Sequence, residues 1–241
     1  MGSVYGSDTA SIYHDFYRER KGKDYAAESA NVAALVRERM PEASSLLDVA
    51  CGSGSHLEHF VSEFDHVEGV ELSEAMLAVA RPLLPGVPLH QGDMRDFSLG
   101  RRFSAVTCMH SSIGYAGDEA RLRQTLACLA DKLEPGGVLV VEPWWTPGNF
   151  LDRHVAGDAL TVGDRTISRV SHTVRSGDVT RMEVHWVVAD PVNGPRHAVE
   201  RHELTLFERA QYENAFAEAG CTVEYLRPDW TGPGLYVGVL I

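Results

Sequence analysis

Three acidic residues close three successive apolar runs, and two glycines lie between the first and the second. Leu46, Leu47, Val49 and Ala50 surround Asp48, Val67 and Val70 lead to Glu71, and a third run ends in Gly92-Asp93-Met94. The first run is short and continuously apolar, the pattern of a strand buried on both faces in a parallel sheet. Gly52 and Gly54 follow at once, and a helix begins beyond them. Without Cβ atoms such glycines let the backbone turn sharply against a ligand, while the following helix offers its N-terminal amides. The chemistry available here is nucleoside binding. A carboxylate at Glu71 suits the two hydroxyls of an unphosphorylated ribose, and Asp93 beside the apolar Met94 suits an adenine. Taken singly, Glu71 and Asp93 read as solvated loop acids; with Asp48, at successive strand ends, they read as one site. A dinucleotide fingerprint would need a glycine where Leu57 stands, and the Gly-Lys-Ser/Thr of a phosphate loop is absent. A nicotinamide-dependent oxidoreductase is therefore disfavoured.

Other groups carry weaker signals. Tyr5, Tyr13, Tyr17 and Tyr25 crowd the start of the chain among Gly6, Gly22, Arg20, Lys21 and Lys23. Tyrosines at that density either pin a terminal segment to the core or face a ligand. His56 and His59 are three apart on a predicted helix, but no Glu or third His completes a zinc site, so a solvated face and no metal are expected. Cys51, Cys108, Cys128 and Cys221 lie far apart and read as reduced thiols of a cytoplasmic protein.

The elements that position these residues alternate. Asp24 caps a helix carrying Val32, Leu35, Val36 and Met40 at helical spacing, and Pro41 ends it. Ser73 caps a helix over 74–84. Strands are expected at 103–109 and 138–142, separated by a helix that Asp118 caps and that carries Leu122, Leu126, Leu129 and Leu133. Five alternations imply an α/β fold with a doubly wound, mostly parallel sheet, whose ligands sit beyond the carboxyl ends of the strands. The period then changes to two over 166–174, 180–189 and 196–206, with turns at Arg175-Ser-Gly-Asp178 and Asp190-Pro-Val-Asn-Gly194. Met182, Val184, Trp186 and Val188 share one face; Arg181, Glu183 and His185 share the other. The expectation is an inserted antiparallel β meander over the mouth of the sheet, its polar face toward substrate, solvent or a second subunit. A helix at 208–219 and strands at 221–226 and 235–240 close the sheet. The division expected is 1–145 for an N-terminal lid and the cofactor core, 146–203 for the insertion and 204–241 for the C-terminal helix and hairpin.

The 241 residues, 44% of them apolar, suffice for a packed core. A formal charge of −12 without a basic stripe argues against a nucleic-acid partner. No apolar run reaches membrane-spanning length, so a soluble, cytoplasmic protein is expected.

The segments Leu46–Gly54, Val70-Glu71-Leu72-Ser73 with Met76-Leu77, and Gly92-Asp93-Met94-Arg95-Asp96-Phe97 resemble the first three motifs of class I S-adenosylmethionine (SAM) methyltransferases. Gly22-Lys23-Asp24-Tyr25-Ala26-Ala27-Glu28, Ala105-Val106-Thr107-Cys108-Met109, Ser111-Ser112-Ile113-Gly114, Val141-Glu142-Pro143-Trp144-Trp145 and Ser168-Arg169-Val170-Ser171-His172 narrow the resemblance to the TDP-amino-sugar N,N-dimethyltransferases of macrolide deoxysugar pathways. That resemblance implies a seven-stranded sheet, SAM as cofactor with S-adenosylhomocysteine as product, and a TDP-linked 3-amino or 4-amino deoxysugar as acceptor. It implies cofactor contacts from Asp48, Ala50, Gly52 and Gly54, from Glu71, Leu72 and Met76, from Asp93, Met94 and Met109, and from Tyr13 and Tyr25. Trp145, Asn149, Arg169, Ser171 and Arg181 are the candidates for the sugar side, Arg169 and Ser171 for the diphosphate. A structural salt bridge is an equally open role for Arg169, as is core packing for Trp144 and Trp145. A monomer or a homodimer is expected.

Methyl transfer to an amine requires a neutral nucleophile, so the substrate ammonium must lose a proton before each transfer. The relatives typically carry a histidine after Ser111-Ser112-Ile113-Gly114, where this chain has Tyr115, and a phenylalanine where it has His110. A tyrosine with a pKa of about 10 is a poor base. The catalytic candidates are Tyr115 and His110, with His110 expected to replace the missing histidine, and Tyr5, which the resemblance implies because it falls where the family has a matching tyrosine in its N-terminal segment. Pro233 stands where the relatives have an arginine, with Trp230 nearby. The alternative reading is a SAM-dependent O- or N-methyltransferase for another small metabolite.

Overall fold

The computed structural model describes residues 6–241. The chain opens with α1 (Ser7–Glu19) and α2 (Tyr25–Arg39) and then enters β1 (Ser45–Val49). Asp24 starts α2, its Oδ1 accepting from the Ala27 amide at 2.9 Å, while Arg37 and Arg39 stand at the carbonyl end of the helix. Next come α3 (Leu57–Glu63), β2 (His66–Glu71), α4 (Glu74–Leu83), β3 (Leu89–Gln91) and β4 (Phe103–Cys108). A 3-10 turn at Ser112–Ala116 leads to α5 (Glu119–Ala130) and β5 (Leu133–Val141). Ser73 and Asp118 cap α4 and α5 as their sequence positions predict.

The main sheet has seven strands in the order β10-β11-β5-β4-β1-β2-β3, where β10 is Cys221–Leu226 and β11 is Leu235–Leu240. Neighbours run parallel except at β11, which is antiparallel to both β10 and β5. Every residue of β1 and β4 is buried, so neither alternates with exposed positions, and their polar members pair across the two strands, Ser45 with Ser104 and Asp48 with Thr107. The strand order turns back at β1 and β4, so a crevice opens beyond their carboxyl ends. One strand begins earlier than its sequence suggests. β5 starts at Leu133, and the stretch Glu134-Pro-Gly-Gly137 is absorbed as an irregularity where the register with β4 shifts between Phe103 and Ala105.

The second sheet is antiparallel, ordered β6 (His154–Val162), β7 (Arg165–Ser176), β8 (Val179–Asp190) and β9 (Gly194–Thr205). The alternating runs predicted three of these strands. β6 escaped because it contains Gly157 and Asp158 and is largely exposed on both faces, so no period of two is written in it. The orientation of the sheet also corrects the expectation. Arg181, Glu183 and His185 point away from the crevice, Arg181 bonding Glu203 and Glu183 bonding both Arg201 and His185. The apolar face turns inward because α1 needs it: Phe16 and Trp186 are fully buried against each other, ring centroids 5.1 Å apart and nearly perpendicular, with Ile167, Val184 and Val188 around them. Burial stabilises each such aliphatic or Phe side chain by about 1.5–3 kcal/mol, which solvating the other face does not offset. After β9, α6 (Arg209–Glu218) packs with β10 and β11. No helix among the described residues is long and apolar enough to cross a membrane.

Candidate active site

The loop after β1 is built from residues in the left-handed region: Ala50 at φ 58°, Gly52 at φ 58° and Gly54 at φ 85°. The two glycines serve different ends. A Cβ on Gly52 would meet nothing within 4 Å, since that backbone faces open space, whereas one on Gly54 would lie 2.5 Å from Leu84 Cδ1 of the segment ending α4. Glu71, at the end of β2, locks the loop. Its Oε2 accepts from the Gly52 amide at 3.0 Å and its Oε1 from the Ser73 amide at 2.8 Å. Burial pushes the Glu71 carboxyl above the usual carboxylate range, although the backbone amides around it favour the charge.

Asp48 sits beneath this loop, off the cleft wall, its Oδ1 accepting from Thr107 Oγ1 at 2.7 Å. Burial pushes its carboxyl up to about 7, against the pull of the Thr107 bond and with a further push from Glu71. Glu142 is the third buried carboxyl. Its Oε2 accepts from the His110 amide at 2.7 Å, and burial pushes it up to about 7 as well. Asp93 behaves in the opposite way: it is gripped by Arg95, whose Nε donates at 2.8 Å and whose amide donates at 3.0 Å, and that pairing holds it below the usual range.

These elements enclose a cleft of about 310 Å³, in the range of pockets that take a whole small molecule. One end is lined by Ala50, Gly52, Glu71, Leu72, Met76, Asp93 and Met94. Tyr13 and Tyr17 of α1, Tyr25 of α2, Met109 and His110 form the middle. Tyr115, Trp144, Arg169, Met182, Trp186, Glu200 and His202 form the far end. His110 itself is held at φ 54°, with its Nδ1 3.2 Å from the Tyr13 hydroxyl and its ring edge-on to Tyr17. Burial drives its pKa down to about 3, so the ring is neutral at ordinary pH and retains a proton far less readily than free imidazole.

His56 corrects the sequence reading. Rather than facing solvent it is buried between Tyr25 and Phe60, with Nε2 3.0 Å from Glu28 Oε2, which also holds Lys23 at 2.6 Å. Among the described residues there is no group of three or more His, Cys, Asp or Glu placed to hold a metal ion.

Several candidates fall outside the cleft. Tyr5 lies outside the described residues. Gly54 packs on Leu84, as above. Trp145 packs beside Gly232, and it is Trp144 that lines the cleft, its Nε1 donating to Thr180 Oγ1 at 3.1 Å. Asn149 is exposed and closes a turn, its Oδ1 accepting from the Thr146 amide at 2.7 Å. Arg181 is on the outer face, and Pro233 and Trp230 do not reach the cleft. Ser171 is buried behind Arg169, accepting from its Nη1 at 2.9 Å. Among the described residues no carboxylate holds Arg169 and its buried Nε has no hydrogen-bond partner; its guanidinium lies 5.8 Å from the Trp186 ring.

Sequence reasoning missed Glu200 and His202. Their signal was available: Glu200, His202 and Leu204 are buried alternately with exposed Val199, Arg201 and Glu203, so two polar groups stand on the inward face of β9.

A crevice at the turning point of a parallel sheet, with a carboxylate pinning a glycine loop open to solvent, is the arrangement of a class I methyltransferase. A family model described as a methyltransferase domain matches residues 46–137. The chain is 57% identical over 236 residues, 98% of its length and 99% of the relative's, to the dTDP-3-amino-3,4,6-trideoxy-alpha-D-glucopyranose N,N-dimethyltransferase of Streptomyces venezuelae. It is 46% identical, over 98% of its length and 94% of the relative's, to the dTDP-4-amino-2,3,4,6-tetradeoxy-D-glucose N,N-dimethyltransferase of Saccharopolyspora spinosa. A solved structure of a SAM-bound amino pentose methyltransferase from Micromonospora echinaspora, involved in calicheamicin biosynthesis, superposes with a TM-score of 0.85 at 44% identity, covering 100% of both chains. The chain belongs to the family of SAM-dependent sugar N,N-dimethyltransferases.

Proposed function

We propose that the protein transfers methyl groups from SAM to the amino group of a TDP-linked amino-deoxysugar, carrying the amine to its N,N-dimethyl form. The observation that carries this reading is the shared cleft: the Glu71–Gly52 end and the buried guanidinium of Arg169 open into the same space.

The residues present fit the cofactor. The open space over Gly52 is one that a Cβ would fill, and the anchored Glu71 carboxylate keeps lone pairs for ribose hydroxyls. Leu72 and Met94 offer apolar walls to a base. Asp48, Glu71 and Glu142 are carboxyls whose charge burial disfavours, and a cationic ligand is what would restore it. The bound cofactor supplies an electrophilic methyl group on a sulfonium whose charge disappears on transfer. The protein's part is alignment and exclusion of water, and good orientation of two reactants is worth about 7–11 kcal/mol. Tyr13, Tyr17, Met182 and Trp186 make the middle and far walls largely apolar, which removes water from the reacting centre. Arg169 lines that space, its buried Nε is without a partner among the described residues, and a guanidinium fork suits a diphosphate. Ser171 would hold the fork in place. Among the described residues all four cysteines are free, which supports a reducing, cytoplasmic setting. In this reading 1–145 provides the lid and cofactor side, 146–203 the acceptor side, and 204–241 completes the sheet.

The relatives named above include one acting on a 3-amino and one on a 4-amino sugar. The test is mass spectrometry of products from SAM and a matched pair of TDP-sugars, one with a 3-amino and one with a 4-amino group. A gain of two methyls on either is expected, and the preferred isomer locates the amine. Methylation of neither would overturn the sugar assignment in favour of another small acceptor.

A further inference from the structure

The far end of the cleft holds a chain of polar contacts that the methyl-transfer reading does not itself require. Tyr115 Oη lies 2.6 Å from His202 Nδ1, and His202 Nε2 lies 3.5 Å from Glu200 Oε2. Trp186 Nε1 donates to that same carboxylate oxygen at 3.0 Å. His202 and Glu200 are both buried, and Glu200 Oε1 has no hydrogen-bond partner. All three residues line the cleft. The charges define the tautomer: a carboxylate facing Nε2 favours a proton there, which leaves Nδ1 as the acceptor of the Tyr115 hydroxyl.

We propose that Tyr115 is the catalytic group that takes the proton from the substrate ammonium, with His202 and Glu200 as the positioning residues that accept and hold the proton it gives up. The proposal rests on the reading of the acceptor as an amine. The ammonium N–H bond breaks and its proton bonds to Tyr115 Oη; the original hydroxyl proton crosses to His202 Nδ1. The amine nitrogen keeps the electron pair with which it attacks the methyl group. The imidazolium that results sits against Glu200, whose spare oxygen is an acceptor buried without a donor, and when the product leaves its Nδ1 proton returns to Tyr115 Oη as the hydroxyl gives its other proton to water, which restores the starting tautomer. A lone neutral tyrosine could not do this, because with nothing to accept its own proton the hydroxyl is far too weak a base to take one from an ammonium. Coupled to an imidazole, it passes a proton along without ever ionising.

Among the described residues, the charged and titratable groups facing the chain include Arg169 on β7, whose Nη2 lies 3.8 Å from Met182 opposite His202, and Tyr13 on α1, within electrostatic reach of Tyr115 and Glu200. His110 and His56, the other histidines lining the cleft, are both made less basic by burial.

The pH dependence of kcat/KM, measured with the accepted TDP-amino-sugar, tests this. Wild type should vary little between about pH 7 and 9. Tyr115→Phe and His202→Gln should each lose about 100-fold near pH 7 and regain activity tenfold per pH unit, as the free amine forms in solution instead. Tyr115→His places an imidazole where the proton is taken, so it should retain activity, and adding His202→Gln to it should cost nothing further. Wild-type SAM affinity in each variant shows that the fold is intact. Parallel losses at every pH, or wild-type profiles in Tyr115→Phe and His202→Gln, would overturn the relay. Should wild type methylate neither amino sugar, the functional reading fails on its own. The relay is then judged by 15N NMR of His202, where a proton on Nδ1 rather than Nε2 in the wild-type protein would refute it.

Discussion

Asp48 lies under the glycine loop with its carboxylate bonded to Thr107 Oγ1 at 2.7 Å, and burial brings its pKa to about 7. Glu142, beyond the other side of the cleft, reaches about 7 for the same reason. Both are therefore partly protonated near neutrality, and a cation bound above them favours their ionised forms. SAM binding should release protons near pH 7, and affinity should rise between about pH 5 and 8. Calorimetry in buffers of different ionisation enthalpy measures the release, and Asp48→Asn should remove part of it. The stability of the ligand-free protein runs the other way. A folded-state pKa raised above the unfolded value means that the contribution is complete below the unfolded pKa, near 4, and is lost as pH rises through about 7, by on the order of a few kcal/mol. Asp48→Asn should flatten that decline in melting experiments.

Glu71 accepts from two backbone amides, that of Gly52 in the glycine loop and that of Ser73 at the start of α4. In Glu71→Gln one of the two amide donors would face the new NH2 group, so the loop loses its lock along with the ribose acceptor. Bonds to charged groups are worth about 1.5–3 kcal/mol each, so the SAM dissociation constant should rise about 10- to 100-fold. Equilibrium titration checks this, and an unchanged affinity would place the ribose elsewhere.

The two loop glycines should fail in different ways. Gly54→Ala forces a Cβ against Leu84 at a positive φ and should destabilise by about 1–3 kcal/mol, read as a lower melting temperature. Gly52→Ala has room within the protein, so it should cost only about 1 kcal/mol of stability. Its methyl group would instead occupy the cleft, and SAM binding should suffer more than folding does.

Arg169 is buried and held by Ser171, with no carboxylate partner among the described residues. Arg169→Gln should raise KM for the TDP-sugar about tenfold or more while leaving SAM affinity intact, since charge-assisted contacts to phosphate are roughly twice as strong as neutral ones. Ser171→Ala should produce a smaller change in the same direction. A shift in SAM affinity alone would assign Arg169 a structural role.

The cofactor side was legible in the sequence because its signals are local. Strand and glycine turn lie within a few residues of one another, Glu71 closes the next apolar run, and β10 and β11 fall on the two stretches expected to close the sheet. The acceptor side was not, because its geometry depends on which face of an antiparallel sheet turns inward. Alternation divides Arg181, Glu183 and His185 from Met182, Val184 and Trp186, yet it does not say which set meets α1; Phe16 decides that. His56 was misplaced for a related reason. A helical histidine looks solvated until its partner is known, and Glu28 lies 28 residues away on another helix.

The 3-10 turn at Ser112–Ala116 joins the two halves of the cleft, with His110 just before it and Tyr115 at its end. On one side stand the strand ends of the parallel sheet, on the other the inward faces of β7, β8 and β9. Substitutions on those three strands can thus alter which acceptor is admitted while the grip on the methyl donor stays as it was. A lineage that needs a new sugar can inherit its donor machinery unchanged, and a protein engineer can redraw the acceptor wall without rebuilding the rest.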